Sequence, residues 1–239
     1  MRIALIGYGK MGQMIERIAA QRGHQVVLRL TRDNLQDFVR ENIINADVAI
    51  EFTAPESAFE NVNRCLDFGI PVISGSTGWN ENLPAAKAHC EKAGGTFLHA
   101  SNFSVGVNIF FEVNKLLARL MKSQPHYEVS IREVHHTAKK DAPSGTAVTL
   151  AEQILAQSAN KKSWISSLGL PEQLSIISER IDPAPGTHYV NYNSAVDSIE
   201  LVHTAHSREG FALGAVIAAE FIKDKKGVFT MSDVLQLTD

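Results

Sequence analysis

Between Glu133 and Ala147 the chain runs Glu-Val-His-His-Thr-Ala-Lys-Lys-Asp-Ala-Pro-Ser-Gly-Thr-Ala. The adjacent imidazoles of His135 and His136 and the ammonium of Lys139 can hold or move protons. Ser144, Gly145 and Thr146 then open a helical pattern, and the N–H groups at a helix start bind anions. Each feature alone is ordinary: a histidine in a strand, a solvated lysine, a serine capping a helix. Together in one short run they form a proton donor beside an anion cradle, suited to a negatively charged small molecule. Neighbouring strand residues face opposite ways, so the two histidines share a role only if the strand ends there and the backbone turns.

A second constellation stands at the start of the chain. Residues 2–6 form an apolar strand that runs directly into Gly7-Tyr8-Gly9-Lys10-Met11-Gly12, and a helical pattern with Met11, Met14, Ile15, Ile18 and Ala19 on one face follows. Glycines at this spacing are weak evidence alone; between a strand and a helix they predict a dinucleotide site. Gly7 permits the tight turn, Gly9 admits the pyrophosphate, and Gly12 lets helix and strand pack closely. An enzyme that grips the ribose 2′-hydroxyl of NAD has an acid about 20 residues further on, at the end of the second strand. Here that strand ends in Leu30-Thr31-Arg32-Asp33. Thr31 with Arg32 after it suits a 2′-phosphate and favours NADPH, with Lys10 in support, whereas Asp33 would serve NADH if the strand ran longer.

These motifs need a scaffold. Strand patterns at 24–30, 46–52, 71–75 and 96–100 alternate with helical ones, among them 55–69 behind Pro55 and 81–93. Such alternation predicts a Rossmann-type, doubly wound parallel sheet of α/β class, whose ligands lie at the carboxyl ends of the strands. The loops at 7–12, 53–55, 75–78 and 100–104 fall on that edge, so Gly75, Ser76 and Thr77 are candidates for cofactor contact. After residue 103 the pattern changes. A helix with Ile109, Phe110, Val113, Leu116, Leu117 and Leu120 leads to a strand over 127–136 with apolar Val129, Ile131 and Val134, then to the helix opening near Ser144. Strands at 174–181, 188–192 and 198–206 lack intervening helices, which predicts a second, α+β domain with a mixed, mostly antiparallel sheet. Residues 157–172 are polar and predict a surface loop. The apolar helix from Gly210, and short helical character over 229–237, are expected to return to the first domain. The expected division is 1–103 with 209–239 for the dinucleotide and 104–208 for the substrate, with the two crossings acting as a hinge that closes over the reactants.

Composition narrows the function classes. With 44% hydrophobic and 21% charged residues and a formal net charge of −3, the chain has the balance of a soluble globular protein and no basic footprint for nucleic acid. No apolar run approaches the ~20 residues of a spanning helix, so neither a membrane role nor a signal peptide is expected, and the expected location is cytoplasmic. Cys65 and Cys90 are then reduced, buried hydrophobes. His203 and His206 add imidazoles, but without a matching carboxylate pattern no metal site is expected.

The run from Glu133 to Ala147 resembles the signature of the 4-hydroxy-tetrahydrodipicolinate reductase (dihydrodipicolinate reductase) family of bacterial diaminopimelate and lysine biosynthesis. Gly-Tyr-Gly-Lys-Met-Gly at 7–12, Phe52-Thr53, Gly-Ser-Thr-Gly at 75–78, Ser-Asn-Phe-Ser-Val-Gly-Val-Asn at 101–108 and His-x-x-x-Ser-Arg at 203–208 extend the resemblance along nearly the whole chain. It implies NAD(P)H-dependent reduction of a small dicarboxylate with loss of water. His135 would donate a proton with Lys139 as partner, and His136, Gly145 and Thr146 would hold carboxylates. Gly7, Tyr8, Gly9, Lys10, Met11, Gly12, Arg32, Gly75, Ser76, Thr77, Ala100, Ser101, Asn102 and Phe103 would contact the cofactor. A homotetramer built through the second domain is also implied. An aspartate or homoserine dehydrogenase-like enzyme, or a non-catalytic dinucleotide sensor, shares the logic of the first hundred residues but gives no reason for the histidine pair, Lys139 and the Pro-Ser-Gly-Thr run.

Overall fold

The computed structural model describes residues 1–237. The chain divides into two compact units, residues 1–105 with 209 onward, and residues 106–208.

In the first unit β1 (Arg2–Ile6) leads through the glycine turn to α1 (Lys10–Gln21) and β2 (Gln25–Leu30), and a 3₁₀ segment (Arg32–Asp37) and α2 (Arg40–Ile43) connect to β3 (Val48–Glu51). Then come α3 (Pro55–Asp67), β4 (Val72–Ser74), α4 (Leu83–Lys92) and β5 (Thr96–His99). All the strands pair in parallel. Side chains alternate across the sheet: on β1, Ile3 and Leu5 enter one core layer and Ala4 and Ile6 the other. Burial on both faces explains the unbroken apolar runs. Cys65 and Cys90 are free and buried in the second layer, where burial pushes both thiols up.

The second unit contains α5 (Val105–Met121, its first residue in the other unit), β6 (Glu128–His135), α6 (Gly145–Gln157), β7 (Ser163–Ile165), β8 (Gln173–Arg180), β9 (Gly186–Asn193) and β10 (Ser198–Ala205). Its five-stranded sheet has the order β10-β9-β6-β8-β7. The sheet is mixed, as expected, but its pairings divide evenly: β10–β9 and β9–β6 are antiparallel, β6–β8 and β8–β7 parallel. The helix α6 between β6 and β8 is what makes their parallel pairing feasible. The stretch 157–172 is not wholly a loop, because β7 adds an edge strand there. Three residues are too few for a period-2 signal.

The chain then supplies α7 (Glu209–Ile222), β11 (Gly227–Phe229) and α8 (Met231–Leu235) to the first unit. Helix α7 fills the core layer shared with α1, as its apolar composition predicts. Phe229, expected in a helix, is instead part of β11, which pairs with β5 and makes the sheet six-stranded in the order β11-β5-β4-β3-β1-β2. Gly214 on α7 lies so close to the backbone carbonyl of Phe103 that a Cβ there would stand 1.7 Å from its oxygen.

Candidate active site

The site in the second unit is built on the face of the sheet that also carries the core. On β6, Val129 and Ile131 pack inward, and the next two inward positions are Glu133 and His135. The same change occurs on both neighbours at the same level. Ile131 sits opposite Ile176 and Val190, Glu133 opposite Ser178 and His188, and His135 opposite Arg180. One buried face therefore passes from an apolar layer to a polar one within a single period of each strand.

Glu133 is fully buried. Its carboxylate accepts from the Ser144 amide at 3.0 Å, from the Ser144 hydroxyl, and from the Ser178 hydroxyl at 2.8 Å, with the Arg180 guanidinium 3.4 Å away. The His188 Nε2 lies 3.6 Å from it and 3.1 Å from the Ser144 hydroxyl. Burial works to raise this carboxyl, but hydrogen bonds from His188, Ser144 and Ser178 outweigh it and hold Glu133 well below the usual carboxylate range. Ser144 is the N-cap of α6 and accepts from the Ala147 amide at 3.2 Å, so the same carboxylate fixes the start of that helix. Among the described residues, a Cβ on Gly145 would meet nothing within 4 Å, which leaves open space at the first residue of the helix.

His135 ends the strand, and its ring meets that of His188 edge-on with centroids 5.0 Å apart. Its Nδ1 is buried without a hydrogen-bond partner among the described residues, 3.6 Å from Glu133. Burial pushes the imidazole down to about 4; Glu133 opposes the shift, while the charges of His188, Lys139 and Arg180 reinforce it. His136 stands just past the strand, 3.4 Å from the Arg208 guanidinium, so the two histidines do meet a turning backbone. Lys139 pairs with Asp141 at 2.8 Å. Arg180 donates to the carbonyls of Lys139 and Asp141, at 3.4 and 2.6 Å, and so ties the 139–141 segment to β8. Glu133, His135 and His188 bring ligand-type atoms within 4.8 Å of one another, but the donors surrounding Glu133, including a cation, already occupy its oxygens.

A consequence for stability follows from His135. An unfolded histidine titrates near 6.5, so in acid the unfolded chain takes up a proton before the folded one does. Stability from this group is intact above about pH 6.5, falls as pH drops towards 4, and is then flat; the loss is on the order of 3 kcal/mol. Glu133, depressed in the fold, adds its own loss only below the unfolded carboxylate value, near pH 4.3. Urea midpoints measured from pH 7 to 4.5 are expected to decline for the native chain and to decline less for His135→Gln.

In the first unit the glycine turn has the expected geometry. Gly7 has φ +94° and would bring a Cβ within 2.0 Å of the Phe52 carbonyl oxygen, and a Cβ on Gly12 would approach the Gly7 carbonyl oxygen to 2.3 Å. Gly9 faces open space and is the N-cap of α1, with no side chain capping that helix start. These are the conditions under which a pyrophosphate fits. Lys10 is exposed and Met11 half-buried beside it. Tyr8 donates to Glu16, which also pairs with Arg29. β2 ends at Leu30, and Thr31 caps the 3₁₀ segment, exchanging hydrogen bonds with Asn34 and Asp33. Arg32 and Asp33 are exposed.

At the next loops, Gly75 packs on the Phe52 ring, and Thr77 is exposed. Ser76 is 4% exposed and its hydroxyl donates to Glu51 at 2.8 Å. Ala100 is half-buried, Ser101 exposed, and Asn102 accepts from the Ser104 amide at 2.8 Å. Phe103 is buried against Phe52, their ring centroids 5.7 Å apart. Sequence reasoning did not select Glu51, a fully buried carboxylate that joins two of these loops by accepting from the Thr53 amide and the hydroxyls of Ser74 and Ser76. It likewise passed over Glu133, Ser178, Arg180 and His188 as working residues, and read Ser144 as the helix cap that it is, without its bond to Glu133.

Comparison with known proteins agrees with both halves of this description. The family model described as "Dihydrodipicolinate reductase, N-terminus" matches residues 1–103, and "Dihydrodipicolinate reductase, C-terminus" matches residues 106–235. A protein of Christiangramia forsetii named 4-hydroxy-tetrahydrodipicolinate reductase is 49% identical over 239 residues, covering 98% of each chain. One of the same name from Chromobacterium violaceum is 37% identical over 202 residues, covering 80% of this chain and 74% of its own. Among solved structures, a dipicolinate-bound dihydrodipicolinate reductase from Paenisporosarcina sp. TG-14 superposes with a TM-score of 0.77 at 22% identity, over 96% of this chain and 97% of its own, which speaks to the fold.

Proposed function

The chain belongs to the dihydrodipicolinate reductase family and is an oxidoreductase of diaminopimelate and lysine biosynthesis that reduces 4-hydroxy-tetrahydrodipicolinate with NAD(P)H, and we propose that His135 and Lys139 carry the proton chemistry of that reaction. The observation that supports this assignment is that one buried carboxylate, Glu133, joins His135 to the N-cap of the helix whose first residue, Gly145, faces open space. The nicotinamide, when bound, supplies the hydride.

The ring to be reduced carries two carboxylates. The first turn of α6, at Gly145 and Thr146, receives one of them, with the positive end of the helix favouring negative charge. His136, beside the Arg208 guanidinium, meets the other. A dianion in this place raises the proton affinity of His135, so His135 takes up a proton together with the substrate and delivers it as hydride arrives and water leaves. Lys139, drawn from Asp141 towards the dianion, keeps that charge balanced as the ring changes.

The cofactor is held by Gly7 to Gly12, by the loop at Gly75 to Thr77 and by Ala100 to Phe103. Arg32, exposed and making no ion pair among the described residues, is the group for a 2′-phosphate, and NADPH is the preferred cofactor. Thr31 is engaged in its cap and offers no carboxylate for a ribose hydroxyl. Comparing kcat/KM with NADPH and NADH, on the product of dihydrodipicolinate synthase, is expected to favour NADPH in the native chain and to favour it less in Arg32→Ala. A strong NADH preference in the native chain overturns the role of Arg32.

The second unit also supports assembly into a homotetramer. Ile109, Val113, Leu116 and Leu120 form a stripe along α5 and are 42–60% exposed in the single chain, with Val202 on edge strand β10 47% exposed. Apolar stripes of this kind mark contact with another protein surface.

A further inference from the structure

We propose that Glu133 is a positioning residue for the proton step: its buried carboxylate holds His135 and the opening of α6 as one unit, and supplies the negative charge against which a protonated imidazole can exist there. The inference rests on His135 as the proton donor.

Burial and the neighbouring basic groups work against a positive charge on the ring. His135 is 7% exposed, so the ring has little water to share its charge. From β9 it faces His188, with Gly186 so close that a Cβ there would lie 3.0 Å from Nε2. From β8 comes the Arg180 guanidinium, and from the following segment the Lys139 ammonium. Behind His188, on β10, stands His203. Glu133, 3.6 Å from Nδ1, is the one group of these that favours the charged ring.

The carboxylate is also held in a way that keeps it ionised. Ser144, Ser178, Arg180 and His188 come from α6, β8 and β9 and converge on its two oxygens. The Ser144 hydroxyl that donates to Glu133 also accepts from the Ala147 amide, so displacement of the carboxylate moves the helix start that receives the substrate. A charge required by the donor and a cap required by the cradle are thus one side chain.

The test uses the full-length chain carrying Glu133→Gln, which keeps the shape and one acceptor oxygen but removes the charge. The His135 ring is titrated by NMR with pyridine-2,6-dicarboxylate bound, and the pH profile of kcat is recorded. Both the ring midpoint and the alkaline limb of kcat are expected to fall by about one to three pH units, the reach of an opposite charge at this distance. Glu133→Asp, which keeps the charge but withdraws it by one methylene, is expected to show a smaller fall in the same direction, and it carries the test if the Gln variant does not fold. An unchanged ring midpoint in a folded variant overturns the proposal, because a purely structural residue would not move it. A ring midpoint that falls while the kcat limb stays in place overturns His135 as the donor, and with it the part Glu133 plays in the proton step.

Discussion

A His135→Gln variant is expected to turn over about 10²-fold or more slowly than the native enzyme at saturating substrate, the scale of a lost general acid. Glutamine approximates the size and polarity of the imidazole and can still donate a hydrogen bond, but it cannot carry a proton at neutral pH. The ring lies on the core face of β6, two residues beyond Glu133. Without substrate it is held near 4, so at neutral pH it has no extra proton to give. The proton must then be acquired along with the dianion, and the loss should appear in kcat more than in KM. Loss of nicotinamide absorbance under saturating conditions measures this directly, and near-normal turnover in a folded variant would sink the assignment.

Lys139→Ala is expected to lower kcat by a similar ~10²-fold. The side chain is already positioned: its backbone N–H donates to the His136 carbonyl at 3.1 Å, Arg180 holds its carbonyl, and its ammonium rests on Asp141. Truncation therefore removes the charge while the segment keeps its other anchors. Lys139→Arg separates two roles. Arginine keeps the charge but does not give up a proton at working pH, so full recovery by Arg would limit Lys139 to charge balance, and failure to recover supports a part in proton transfer.

Much of this architecture could be read from residue order, and the exceptions have a common cause. The glycine turn was legible because one local unit of strand, turn and helix encodes it: Gly7 and Gly12 are each required by a carbonyl or side chain only a few residues away or on the next strand. His135, His136 and Lys139 were legible because they fall in one short run. Ser178, Arg180 and His188 were not, since each lies on a different strand and becomes a neighbour of Glu133 only through sheet register. Glu133 itself was obscured by Val134, which suggests an apolar alternation in the wrong phase; the inward residue at that level is the glutamate. Glu51 was hidden in an apolar strand, and its partners at 53, 74 and 76 come together only when β3 and β4 pair. The edge strands β7 and β11, three residues each, carry no periodicity to detect.

The even passage from apolar to polar layer across β6, β8 and β9 makes turnover a gauge of assembly. Because side chains alternate, a slip of one residue by β8 would exchange Ser178 and Arg180 for Ile177 and Glu179 on the inner face. Such a chain could still collapse and hold its helices, yet Glu133 would lose two partners and gain a like charge. Regained activity after refolding thus counts chains whose central strands have found their register, which a spectrum of helix content cannot do.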